Sequence, residues 1–234
     1  MVVTTRDARA ASGPKVREEL ESIVLGLKHI SVDQASEYPR ELMAMYLTTA
    51  KQNMSTETRY FLYVTQRREE EHAKFMNAVL REIPDFKDTQ AGAQPHDHSK
   101  DELFYFAGAT RFDAGFPMTG DQCTKEDQLA SFNAIKWLMD SELKRHYVME
   151  SHHPEHELHT ENECSDMDIA EMAVDRLARN VQFGDNHVVD MTVMRKFEPK
   201  FFMGDTEGKL QQYRGYVKKY KDIVQDYFQS YFFM

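Results

Sequence analysis

Cysteine is scarce in this chain: Cys123 and Cys164 are the only two in 234 residues. Their placement gives neither metal-ligand spacing nor a disulfide framework. Glycine and proline are also sparse, at 10 and 7, which argues against a loop-rich all-β protein. No apolar run is long enough to span a membrane. Met1 to Pro14 has no apolar core of the kind a secretory signal needs, so the expected compartment is the cytoplasm. Basic residues are outnumbered 29 to 39, giving a formal net charge of -10. Extended binding to a nucleic-acid backbone needs a basic face and is therefore not expected. A nucleotide held by a few local cations remains compatible with that charge. There is no Gly-rich phosphate loop, no Ser-nucleophile elbow and no internal repeat. No strand alternation is long enough to require a sheet.

Helical periodicity is abundant. Hydrophobic residues make up 41% of the chain, enough for a real core. Val16, Leu20, Ile23, Val24 and Leu27 recur at helical steps. Tyr38-Pro39 marks a break, and Glu41 to Asn53 reads as a helix with Leu42, Met45, Tyr46 and Thr49 on its inner face. Ser55-Thr56-Glu57 starts a long helix reaching about Arg81. Phe61, Val64, Phe75, Met76 and Val79 lie on its inner line, which Arg68 and His72 continue. Ile83-Pro84 ends it. A polar connection over 85–95 then leads to Pro95-His96-Asp97-His98-Ser99-Lys100.

Adjacent residues cannot share one helix face. His96 and Asp97 are therefore expected where a loop meets a helix and the backbone can turn both side chains toward one point. Asp97 or Ser99 is the expected cap of a helix over Asp101 to Ala107, with Lys100 one turn inside it. Thr124 to Asp127 starts the next helix. Phe132, Ile135, Met139, Leu143 and His146 form its inner stripe, and Pro154 is expected to end it beyond His152-His153. His156 and His159 read as solvated. Asp166 or Asp168 is the expected cap of a helix carrying Ile169, Met172, Ala173, Leu177 and Val181, with Asp175 among them. A buried carboxylate is expensive unless paired or on a metal, and Arg176 and Arg179 are its structural alternatives. From Glu207 onward, Leu210, Tyr213, Val217, Tyr220, Val224, Tyr227 and Tyr231 form an aromatic seam of seven-residue period. Docking on the same chain is favoured, and a homodimer through this helix is the alternative.

The expected fold is an all-α bundle. Its segments are a tail over 1–14, a helical extension over 15–54, a core over 55–190 and a C-terminal connection and helix over 191–234. Inward-facing His72, His146 and Asp175 stand on three separate helices, and His96-Asp97 stands before a fourth. Imidazole and carboxylate groups both bind divalent first-row metals.

The order His, His-Asp, His, His, Asp resembles the HD superfamily of metal-dependent phosphohydrolases. His72, His96, Asp97 and Asp175 match its minimal ligand set. His146 and either His152 or His153 match the two histidines added in its two-metal members. His96 to Lys100, His146 to His156 and Glu171 to Asp175 look more narrowly like an uncharacterised HD-like family of bacteria, phages and large DNA viruses. The resemblance covers about residues 55–190. It implies an HD-like helical core holding one or two divalent ions, either a transition metal (Mn, Fe, Co or Zn) or Mg. The ligands would be His72, His96, Asp97, His146, His153 and Asp175. It implies hydrolysis of a small phosphorylated compound, a nucleotide foremost, by a metal-activated water. Asp97 would bridge metals or orient the water, and Lys100 would hold a phosphate oxygen. Arg111, His152 and Arg176 are the further anion contacts. The competing expectations are an HD-like di-iron oxygenase and a non-catalytic metal-containing binding protein.

Overall fold

The computed structural model describes residues 10–33, 40–86, 96–114, 125–153, 165–183 and 206–233. Pro95, Cys123, Thr124, Pro154, His156, His159 and Cys164 lie outside them. The described residues are all-α, with seven α-helices and no strand. These are α1 (Pro14–Asp33), α2 (Arg40–Asn53), α3 (Thr56–Glu82), α4 (Glu102–Gly108), α5 (Lys125–Met149), α6 (Asp166–Phe183) and α7 (Thr206–Phe233). A short 3-10 turn, Pro84–Phe86, follows α3, and a π turn, Ala109–Asp113, extends α4. No helix among the described residues is long and apolar enough to cross a membrane.

The chain divides into two compact units. One takes in Thr5–Glu69 and Lys100–Lys144. The other takes in Glu70–Ser99 and Arg145–Met234, so the C-terminal helix shares a unit with His72, Asp97 and Asp175.

In the first unit, Val16, Leu20, Ile23, Val24 and Leu27 are all buried, as their spacing predicts. Gly26 allows a close approach, because a Cβ there would lie 2.0 Å from the Tyr46 hydroxyl. The inner face of α2 differs from expectation. Met43 and Leu47 are the buried pair, while Leu42 is 39% and Met45 66% exposed. Both stripes are apolar, so periodicity alone could not choose between them. Glu142 is fully buried and receives Arg40 in a two-pronged pair at 3.1 and 3.2 Å. Arg40 also binds Asp101. Asp101 is the actual cap of α4, accepting from the backbone amides of Leu103 and Phe104. The expected caps, Asp97 and Ser99, are thereby displaced, and Lys100 stands before α4 rather than one turn inside it.

Ser55 caps α3, with its Oγ 3.3 Å from the Thr58 amide. Glu19 accepts from the Ser55 amide at 2.8 Å, from Ser55 Oγ at 2.7 Å and from the Thr58 hydroxyl. Burial works to raise the Glu19 pKa, but these hydrogen bonds prevail and hold it below the ordinary 4.5. A carboxylate whose folded pKa is depressed stabilises the fold above its unfolded value. That contribution is lost as pH falls through the folded value. Glu19→Gln is expected to cost about 0.5–1 kcal/mol near neutral pH, since the carboxylate is partly exposed and glutamine keeps an acceptor oxygen. The difference from the parent should close in acid, below the ordinary carboxylate range. Urea titrations at neutral and acid pH measure both.

The second unit packs α3, α6 and α7 together. Phe75, Met76, Val79, Leu80 and Ile83 meet Ala170, Val174, Leu177 and Ala178 of α6 and Tyr220, Val224 and Phe228 of α7. Ile169, Met172 and Ala173 meet Leu210 and Tyr213. The aromatic seam thus docks on its own chain. Ser165 and Asp168 form a reciprocal capping box at the start of α6, with backbone-to-side-chain distances of 3.1 Å in both directions. Asp168 is its third helical residue, and Ser165 rather than an aspartate is the cap.

Candidate metal centre

Four short pieces of the second unit bring the site together. His72 comes from the middle of α3. His96 to Ser99 form a tight turn, in which Asp97 has φ 57. That left-handed backbone is unusual for a residue other than glycine, although aspartate tolerates it. It turns the Asp97 carboxylate inward beside its neighbour, with His96 Nε2 3.4 Å from Asp97 Oδ2. The Asn77 side chain helps to hold the turn, accepting the His96 amide at 2.7 Å.

Helix α5 ends at Met149, before the expected stop at Pro154. The chain then folds back, with the His153 amide bonding the Glu150 carbonyl at 3.1 Å. Helical spacing over seven residues would have put His146 and His153 on one face. The turn achieves the same result, and their ring centroids are 4.5 Å apart. From α6 come Glu171, Asp175 and Gln182, whose spacings of four and seven fall on one helical stripe.

The two oxygens of Asp97 face different neighbours. On the Oδ2 side, His96 Nε2 also lies 3.6 Å from Asp175 Oδ1, which is 2.8 Å from His72 Nε2. On the Oδ1 side, His146 Nε2 is at 3.3 Å and His152 Nε2 at 3.8 Å. Among the described residues, three overlapping groups could hold a metal ion: His72, His96 and Asp175; His96, Asp97 and His152; and Asp97, His146 and His153. The sequence left His152 and His153 as alternatives, but each belongs to a group. His152, expected as an anion contact or as the alternative ligand to His153, falls in one of these groups.

The donor set fits a metal on a further observation. Three imidazoles are hydrogen-bonded from behind through Nδ1, and the Nδ1 of a fourth, His152, lies within ion-pair distance of a carboxylate. His72 Nδ1 is 2.7 Å from Gln182 Oε1, and His96 Nδ1 is 3.0 Å from Glu171 Oε1. His152 Nδ1 is 3.3 Å from that same Glu171 oxygen, and His146 Nδ1 is 2.6 Å from Ser99 Oγ. An Nδ1–H donated backward leaves Nε2 as the lone-pair donor facing the site, the usual arrangement of metal-ligating histidines. The Nε2 atoms of His96, His152 and His153 are buried and make no hydrogen bond within the protein. Such atoms are costly to leave unmet.

The charges point the same way. Burial disfavours the His96 imidazolium, but Asp97, Asp175 and Glu171 override it and push its pKa up to about 10. Burial, and then the neighbouring imidazoles, lower the pKa of His152 and bring that of His153 far down. Burial and Arg179 lower that of His72. Burial would raise the Asp175 pKa, but Arg179 and its histidine partners hold it well below the carboxylate range. The cage therefore offers His72, His152 and His153 as neutral imidazoles, the ligating form, beside an ionised Asp175, while His96 carries a proton that an arriving cation would displace.

Glu171, Gln182, Ser99 and Glu150 escaped the sequence reading as supporting groups. Glu150 accepts the Ser99 amide at 2.9 Å and lies 3.0 Å from His98 Nδ1. His98 is 37% exposed and belongs to none of the three groups. The one signal available for Glu171 and Gln182 was their register with Asp175. Of the expected cations, Arg176 is half-buried on α6, but Arg179 is the one beside Asp175, with Nε at 3.4 Å from Oδ1. Lys100 and Arg111 belong to the other unit. There Lys100 pairs with Glu69 at 3.6 Å and lies 5.4 Å from the Phe104 ring centre.

No curated protein and no solved structure matches the chain. A family model described as a family of unknown function (DUF5662) matches residues 62–229, well over half of the chain, and the chain belongs to that family.

Proposed function

We propose that the protein is a metal-dependent phosphohydrolase of HD type acting on a small phosphorylated compound, a nucleotide foremost. The observation that carries this reading is the divided environment of Asp97. One carboxylate presents its two oxygens to two adjoining sets of ligand-capable atoms, which meet in the group His96, Asp97 and His152. His72, His96, Asp97 and Asp175 would hold one ion, and Asp97, His146, His152 and His153 a second. A bound divalent ion supplies an acidified water and Lewis acidity toward a phosphoryl oxygen. The chain's own contribution is orientation: Gln182, Glu171 and Ser99 fix the imidazoles. Asp97 would be a ligand to both ions. Arg176, in the same unit as these ligands, is kept as the cation for the phosphate.

The test starts with metal analysis of protein purified without chelator or added metal. Nucleoside mono- and triphosphates are then screened with Mn²⁺, Co²⁺ or Mg²⁺. Hydrolysis that EDTA stops is the expected result. Arg176→Ala should keep the metal and lose about ten- to a hundredfold in kcat/KM, as loss of one charge-assisted bond of about 1.5–3 kcal/mol implies. Unchanged turnover would make Arg176 a structural residue of α6. Metal-loaded protein that hydrolyses no phosphate ester would overturn the phosphohydrolase reading. Bound iron and oxygen consumption would then favour an oxygenase. Metal without any turnover would favour a binding protein.

A further inference from the structure

Glu171 stands behind both halves of the centre. Its Oε1 lies 3.0 Å from Nδ1 of His96 and 3.3 Å from Nδ1 of His152. His96 is on the Oδ2 side of Asp97 and His152 on the Oδ1 side. The two rings are stacked, with centroids 4.5 Å apart and planes 29° from parallel. The His96 contact is a hydrogen bond and the His152 contact an ion-pair approach, and one carboxylate oxygen can accept from both Nδ1–H groups at once. Doing so sets the same tautomer in both rings and leaves both Nε2 atoms facing the site without hydrogen bonds. The other supports are one-sided. Gln182 serves His72, and Ser99 serves His146.

We propose that Glu171 is a shared positioning residue, which ties the two metal positions together by orienting one histidine ligand of each. It touches neither substrate nor ion. Helix α6 gives it this reach, because Glu171 is one turn before Asp175 on the same stripe. Ligand and support therefore ride on one rigid element. This inference rests on the metal-holding part of the proposed function and not on the reaction catalysed.

The experiment is a Co²⁺ titration of the full chain by equilibrium dialysis, with the visible absorption of bound Co²⁺ as a second readout of ligand geometry. The parent should bind two ions. Glu171→Ala should raise both dissociation constants by about 10- to 100-fold, the usual effect of removing a partner behind a ligand. Gln182→Ala and Ser99→Ala should each raise only one. Glu171→Gln keeps an acceptor oxygen in place and should recover most of the affinity at both positions. It also serves as the test if the alanine variant does not fold, since it should then shift both constants modestly and together. Circular dichroism checks folding. A Glu171 variant that weakens one position, or neither, overturns the proposal while leaving the metal reading in place. A parent that binds no Co²⁺ overturns both, and one that binds a single ion removes the coupling.

Discussion

Asp97→Asn is expected to release metal from both positions and leave helix content unchanged. Among the three groups of described residues, Asp97 and His96 each belong to two, and Asp97 is the one shared with His146 and His153. Asparagine suits the test because it keeps the side-chain volume and tolerates the left-handed backbone at φ 57. It removes the charge and replaces one oxygen by an amide nitrogen that cannot ligate. Alanine would add a backbone penalty of about 1–2 kcal/mol in that conformation, confusing strain with ligand loss. His96→Ala should also lose metal, most severely on the Oδ2 side. Metal content after dialysis is the measurement, with circular dichroism alongside. Two retained ions in both variants would show that the His-Asp pair is not a ligand set.

The sequence showed the pair because adjacency itself is informative. Two neighbouring polar side chains reach one point only through an irregular backbone, and the turn at Asp97 provides one. The inward positions of His72, His146 and Asp175 were legible for another reason: each sits at helical spacing from core residues. Periodicity failed where it was ambiguous. Helix α2 carries apolar residues on two adjacent stripes, and only packing selects Met43 and Leu47 over Leu42 and Met45. It also failed beyond the end of α5, where the turn after Met149 had to be seen before both His152 and His153 could be counted.

The supporting groups are harder to read. Glu171, Gln182 and Ser99 act through partners 75, 110 and 47 residues away along the chain. Their polar character would suit a solvated surface equally well. The caps show the same limitation. Asp97, Ser99 and Asp101 are all good N-cap types, and the choice fell to Asp101, which Arg40 anchors from α2. A cap inside a motif is thus decided by a contact that local sequence does not contain.

The C-terminal helix gives the other large expected effect. Phe75 is fully buried, and its ring centre lies 5.7 to 5.9 Å from those of Tyr227, Phe228, Tyr231 and Phe232. These contacts are the docking surface of the last turns of α7. Phe75→Ala removes the shared ring from the cluster and is expected to destabilise the fold by about 3–5 kcal/mol. His72 lies one turn earlier on α3, so the site should also suffer when the cluster loosens. Phe75→Leu keeps most of the apolar volume and should cost clearly less, with the loss of aromatic pairing contributing about 0.5–1.5 kcal/mol per pair at most. Urea unfolding of the three proteins measures this. A change below about 0.5 kcal/mol for Phe75→Ala, as at a surface position, would mean that α7 does not dock there. Because the seam is covered within one chain, the unfolding midpoint should not change with protein concentration. A midpoint that rises with concentration would instead indicate a second copy taking part in the folded state.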